Sequence, residues 1–171
     1  MSIRFEDNRV RVKEALDEAS IAFLYEAGGE LETQTKNRMP QYGNWFPEIK
    51  NRWAYRVDES KKEAVVGNPL EASLWVEFGT GEHALHGDGR KGYWIYVKDG
   101  SKPGASYTYK GGKSYTLAEA KEVVAMMRKK GIDAHYTKGQ RPHRPLQQAF
   151  NVMKNPLIRR AKEIFKERLG G

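Results

Sequence analysis

With 171 residues, 39% hydrophobic and 11% aromatic, the chain can bury the core of one domain of ordinary size, with or without a sizeable insertion, and leaves little room for a second full domain. Zero cysteines exclude disulfides, thiolate nucleophiles and cysteine zinc sites, while the lack of any window near ~20 apolar residues, or of an apolar leader in "MSIRFEDNRVRVKEALDEAS", points to a protein made and kept in a cytoplasm. The net charge of +8 is uneven: residues 1–87 carry 11 Lys and Arg against 15 Asp and Glu, net −4, and residues 88–171 carry 19 against 7, net +12, a basic half suited to a phosphate backbone, an acidic protein surface or plain solvation.

From Asn8 to Arg38, Val12, Leu16, Ala19, Phe23, Ala27 and Leu31 recur every three or four positions, which predicts a long amphipathic helix. Asp7 or Asn8 can cap it, Glu6 and Asp7 suit its positive end, and Pro40 follows its last turn. Gly28 and Gly29 fall mid-helix, where each costs about 1 kcal/mol relative to alanine, so a kink or a close helix contact is expected there. A loop containing "PQYGNWFPEIKN" follows, then a hairpin of 52–57 and 63–67 around "DESKK". Asn68 and Pro69 read as an N-cap and first helical residue, and Leu70, Leu74 and Phe78 repeat every four residues before Gly79; 69–77 is a short helix by this pattern, although 74–78 also suits a strand.

Residues 85–138 change character and look inserted: "HGDGRKG", "KDGSKPGAS" and "YKGGKS" are turn-rich around the aromatic strand "YWIYV". A second helix, "LAEAKEVVAMMRKKG", places Leu117, Ala120, Val123, Val124 and Met127 on one face, and the strand "IDAHYT" follows. The chain closes on a helix with Leu146, Phe150, Met153, Leu157, Ala161, Ile164 or Phe165, and Leu169 in register, Pro156 serving as a kink or break. The expected architecture is α+β: a single domain over 1–171, with a small antiparallel sheet packed by the long N-terminal helix and the C-terminal helix, and a strand-helix-strand insertion at 85–138.

The stretch "NPLEASLWVEFGTGEHALHGD" gathers Glu77, Glu82, His83, His86 and Asp88, the ingredients of a metal or acid-base site. The two histidines lie on a glycine-rich loop without a glutamate inside the pair, a poor scaffold for a preorganised metal centre. Glu77 has no obvious titrating partner, and a carboxylate beside a glycine turn more simply organises that turn. No nucleophile elbow, dinucleotide fingerprint or complete phosphate loop is present, "GGKS" at 111–114 lacking the upstream glycine. No catalytic, metal or cofactor-binding residue is therefore assigned. The segments "YWIYVKDGSK" and "YTYKGGKSYT" interleave aromatics with Lys98, Lys102, Lys110 and Lys113, which keeps open a basic nucleic-acid-binding module. The same alternation also fits an ordinary sheet with one buried face.

Three pieces taken in order, the long charged helix, "VVGNPLEASLWVEFGTG" and "GQRPHRPLQQAF" before the last helix, resemble the small head-tail joining and tail-completion proteins of long-tailed bacteriophages, the Hong Kong ninety-seven gene-product-ten-like family of tail components. The match covers roughly 5–84 and 139–168, and Arg141-Pro142-His143-Arg144-Pro145-Leu146 leading to Ala149-Phe150 is a variant without the phenylalanine usual in the proline-rich segment. The resemblance implies a structural virion protein of a phage or prophage, with no enzymatic activity and no cofactor. It would sit at the head-tail junction or tail end as a ring-forming homo-oligomer, meeting other neck, head-completion or tail-terminator proteins, with the basic half facing either neighbouring subunits or DNA. The residues expected to matter are Phe78, Gly79 and Thr80 as a turn, with the threonine hydroxyl making a local bond, Trp75 and Glu77 in support, Arg141, Pro142, Arg144 and Pro145 as a stiff basic approach, and Phe150 at the start of the last helix.

Overall fold

The computed structural model describes residues 7–40, 46–98, 106–108 and 113–169. Helices and two separate antiparallel sheets give an α+β protein, and the chain divides into two compact units. The first comprises Met1–Arg38, Trp53–Gly67 and Leu146–Gly171; the second comprises Met39–Arg52 and Asn68–Pro145, and so contains the whole of the 85–138 segment. No helix among the described residues is long and apolar enough to cross a membrane.

In the first unit, α1 (Arg9–Asn37) runs unbroken through both mid-helix glycines. Of the two candidate caps, Asn8 occupies the cap position without a side-chain cap bond, whereas the Asp7 carboxylate accepts the Arg9 N–H at 3.1 Å and clasps its guanidinium at 2.6 Å. The strands β1 (Ala54–Asp58) and β2 (Glu63–Gly67) form the expected hairpin, in register from Ala54 opposite Gly67 to Asp58 opposite Glu63. Its turn is tied by Asp58, which accepts from the Ser60 hydroxyl at 2.6 Å and the Lys61 N–H at 3.1 Å. Gly28 is the reason the hairpin can lie on α1: a Cβ there would stand 2.5 Å from the Tyr55 ring. Gly28 thus provides the expected close contact to the helix, with a strand of the hairpin as its partner, whereas a Cβ on Gly29 would meet the same ring at an ordinary 3.6 Å.

The last helix, α5 (Pro145–Leu169), continues through Pro156 without a break. Glu26 with Arg160 (2.6 Å) and Glu18 with Arg168 (3.5 Å) tie it to α1, and the descending numbers on one helix against ascending numbers on the other make the pair antiparallel. Pro145, Ala149 and Ile164 are its buried residues, while Phe150 is 46% exposed, one position out of phase with the predicted apolar face.

In the second unit, residues 46–52 form a short helix, α2 (Phe46–Arg52), where a loop was expected; Pro47 is tolerated because first-turn N–H groups need no helical partner, and Ile49 anchors the turn at 1% exposure. Residues 41–45 of that loop lie outside the described residues. The next helix, α3 (Ala72–Phe78), begins later than the sequence pattern suggests. Asn68 is not its N-cap: its carbonyl oxygen accepts the Leu70 N–H at 3.0 Å and its amide donates to the Ile49 carbonyl at 2.7 Å, so it ties the turn before α3 to α2.

The segment 85–138 is a strand-strand-helix-strand unit rather than strand-helix-strand. Its elements are β3 (Trp94–Lys98), β4 (Ser106–Thr108), α4 (Leu117–Lys129) and β5 (Ala134–Thr137), with the antiparallel order β4-β3-β5. These strands pair with one another and not with the β1-β2 hairpin, because Ile95, Val97 and Ala134 on one face and Ala120, Val124 and Met127 of α4 close a core of their own with Tyr115. Thr116 and Glu119 cap α4 reciprocally: the Thr116 hydroxyl accepts the Glu119 N–H and the Glu119 carboxylate accepts the Thr116 N–H at 2.7 Å.

Candidate functional site

The α3 helix buries only one of its large apolar side chains, Val76. Its buried residues are Ser73, Val76 and Glu77, whereas Leu74, Trp75 and Phe78 are 53%, 46% and 40% exposed. Leu74 and Phe78, spaced as an apolar face that ought to be buried, face away from the protein interior. Leu85 extends this surface at 46% exposure, because its N–H donates to the Phe78 carbonyl at 2.9 Å and draws the following loop back to the helix end. His86 then places its ring 5.5 Å from that of Phe78. The result is a run of exposed apolar side chains, Leu74, Trp75, Phe78 and Leu85, around the buried Val76.

The backbone beneath this surface is held by the second conspicuous sequence segment, some sixty residues later. Gly79, at φ 75°, leaves α3 with its N–H on the Trp75 carbonyl at 2.9 Å. The Thr80 N–H donates to the Gln140 carbonyl at 2.9 Å, and the Gln140 N–H donates to the Thr80 hydroxyl at 2.9 Å. Thr80 therefore makes a long-range bond in place of the expected local one. The Glu82 N–H reaches the Lys138 carbonyl at 3.0 Å, and the His143 and Arg144 N–H groups both reach the Val76 carbonyl, at 2.8 and 3.3 Å. A Cβ on Gly79 would stand 2.8 Å from the His83 carbonyl oxygen and 2.9 Å from both the Gln140 carbonyl oxygen and Pro142 Cδ. One on Gly139 (φ 125°) would collide with the Thr80 carbonyl oxygen. Both close approaches require glycine.

Of the residues singled out from sequence, Trp75, Glu77, Phe78, Gly79, Thr80, Arg141, Pro142 and Arg144 thus belong to α3, its loop or the strand-like strap laid against them. Arg141 and Arg144 are exposed, Arg144 at φ 55°, and Pro145 is fully buried as the first residue of α5. Phe150 lies one turn further into α5, exposed. Lys138, Gly139 and Gln140, which carry the pairing, and Leu74 and Leu85, which enlarge the apolar surface, were not anticipated. A glycine two positions past the end of a strand in "TKGQ" was the one local signal for the first group.

The titratable groups of the loop serve its architecture. Glu82 accepts the Gly92 N–H at 3.1 Å and faces Lys138 Nζ at 3.5 Å; the backbone bond, with the ammonium behind it, holds its carboxyl below the usual carboxylate range. Glu77 is buried at 7% exposure, and His83 is half-buried on the turn Gly81–His83. Among the described residues no group of three or more acidic or histidine side chains is placed to hold a metal ion. No protein-family model, curated protein or solved structure matches the chain.

Proposed function

We propose that this protein is a structural component of a phage or prophage particle, acting at the head-tail junction or tail end through protein-protein contacts and not as an enzyme. The single observation that carries the reading is the apolar outer face of α3: a helix that buries Ser73, Val76 and Glu77 while leaving Leu74, Trp75 and Phe78 to solvent gives up part of its own folding energy, and that pattern suits a surface completed by a partner. It supports the family resemblance because the two stretches that carry the resemblance, "VEFGT" and "GQRPHRP", are the two that pair beneath this surface.

On this reading the apolar side chains of α3 and Leu85 dock on a neighbouring subunit of a symmetric ring or on an adjoining neck or tail-terminator protein. Trp75 and Phe78 are the anchors, with Arg141 and Arg144 as a basic rim. The paired strap keeps the α3 surface rigid before assembly, which lowers the ordering cost of docking.

The test is deletion of the gene in the producing phage or lysogen, followed by electron microscopy of the lysate. The expected outcome is DNA-filled heads and free tails that remain apart, rescued by the wild-type chain and not by Trp75→Glu with Phe78→Glu. Intact infectious virions from the deletion strain, or full rescue by the double variant, would overturn the proposal.

A further inference from the structure

The geometry points to a second binding surface, independent of the α3 surface: the outer face of the β4-β3-β5 sheet as a site for single-stranded DNA. Strand alternation puts Ile95 and Val97 on the face closed by α4, and therefore Trp94, Tyr96 and Lys98 on the opposite face. Register adds His135 and Thr137 from β5 beside Tyr96 and Trp94, and the positions of Thr108 and Ser106 on β4 beside Tyr96 and Lys98. The outer face is thus a row of aromatic and small polar positions with a cation at its end.

Its rings are ordered in the free protein. Tyr96 and His135 stack with centroids 5.3 Å apart and planes inclined by 21°. His135 is held at both nitrogens, Nε2 lying 2.7 Å from Asp133 Oδ1 and Nδ1 lying 3.3 Å from Arg128 Nη2. Arg128 in turn donates to the Ala134 carbonyl at 2.9 Å, which fixes a guanidinium at the sheet edge. At the other end the Arg90 guanidinium lies 5.2 Å over the Trp94 ring and is anchored on the Lys113 carbonyl. Lys98 and Arg128 therefore border a surface bearing the half-buried Tyr96 and His135, with Trp94 closing its far edge, packed on Gly81 and covered by the Arg90 guanidinium.

Charge selects the occupant. The 85–138 segment carries 11 Lys and Arg against 5 Asp and Glu, net +6. Counted by folded unit, the second unit holds 15 basic and 9 acidic residues, net +6, and the first holds 15 and 13, net +2. Of the +12 carried by residues 88–171, +8 (13 basic, 5 acidic) lies in the unit that bears this sheet and +4 (6 basic, 2 acidic) in the other. A polyanion with accessible planar faces matches both properties, and a duplex does not, since its bases are stacked on one another.

The experiment is fluorescence anisotropy of the full chain with a labelled oligothymidylate of about twenty nucleotides, across a salt series, with a duplex of equal length as competitor. The expected result is binding that weakens linearly on a log-log salt plot, prefers the single strand, and falls roughly fivefold or more for Tyr96→Ala at unchanged charge. Tyr96→Phe should retain it. Lys98→Ala should shallow the salt slope by about one, whereas Lys154→Ala with Arg159→Ala, exposed cations on α5, should leave affinity within about twofold. Circular dichroism verifies that each variant folds; if Tyr96→Ala does not, His135→Gln and Lys98→Ala carry the test. Duplex binding as tight as single-strand binding, equal losses from the α5 and Lys98 variants, or no binding at low salt would overturn the inference while leaving the α3 proposal untouched.

Discussion

At the scale of single residues, Gly28 and Gly29 are chemically identical neighbours with opposite roles. A Cβ on Gly28 would stand 2.5 Å from Tyr55 Cδ2 and 3.0 Å from its Cγ, whereas one on Gly29 would reach the same ring at an ordinary 3.6 Å. Alanine at either position gains about 1 kcal/mol of helix propensity. At Gly28 that gain is opposed by overpacking of about 1–3 kcal/mol against a ring that cannot swing away without unseating the hairpin. Gly29→Ala should therefore raise the melting temperature, and Gly28→Ala should lower it. Reversal of this order in thermal denaturation would place the hairpin elsewhere on α1. The sequence marked the pair as costly and so as purposeful, but the partner, Tyr55, lies 27 positions away from Gly28 and no local pattern names it. The same limit applied at Thr80, whose hydroxyl is used by Gln140 sixty residues on.

Elements differed in legibility according to how completely they are stabilised by their own sequence. The α4 helix carries its start signal in Thr116 and Glu119 and its buried stripe in Ala120, Val124 and Met127, so periodicity and capping agree with packing. The α3 helix was harder to read because the Leu74 and Phe78 spacing is genuine while the core is met by Val76 on another face, and spacing alone is blind to which face meets the core. The α4 cap also makes a pH prediction. The Thr116 N–H, helped by its hydroxyl, holds the Glu119 carboxyl below the usual glutamate range. A pKa lower in the folded than in the unfolded chain stabilises above the unfolded value and is lost as pH falls through the folded one. Glu119→Gln should thus melt below wild type near neutral pH, with the gap closing as pH drops below about 4. A gap that stays constant from pH 7 to pH 3 would show that the carboxylate charge contributes nothing to the cap.

For the whole molecule, the division into an acidic N-terminal half and a basic C-terminal half describes the chain better than the fold. The basic α5 returns to the acidic α1, and Arg160 meets Glu26 at 2.6 Å as well as Glu163 on its own helix at 3.2 Å, while Arg168 meets Glu18 at 3.5 Å. Part of the complementarity that sequence reading assigned to contacts between subunits is therefore consumed within one chain. These pairs are exposed, so they act less as adhesive than as a determinant of which way α5 lies along α1, since the reversed direction would juxtapose unmatched charges. A charge swap separates the two roles. Arg160→Glu places a carboxylate among Glu26, Glu163 and Glu167 and should lower the melting temperature at low salt. Adding Glu26→Arg should recover part of that loss by restoring an opposite pair in the same geometry. Both shifts should shrink together as ionic strength rises from about 0.01 to 1 M and the screening length contracts from about 30 to 3 Å. Failure of the second substitution to recover any stability at low salt would mean that the helices are aligned by packing and not by their charges.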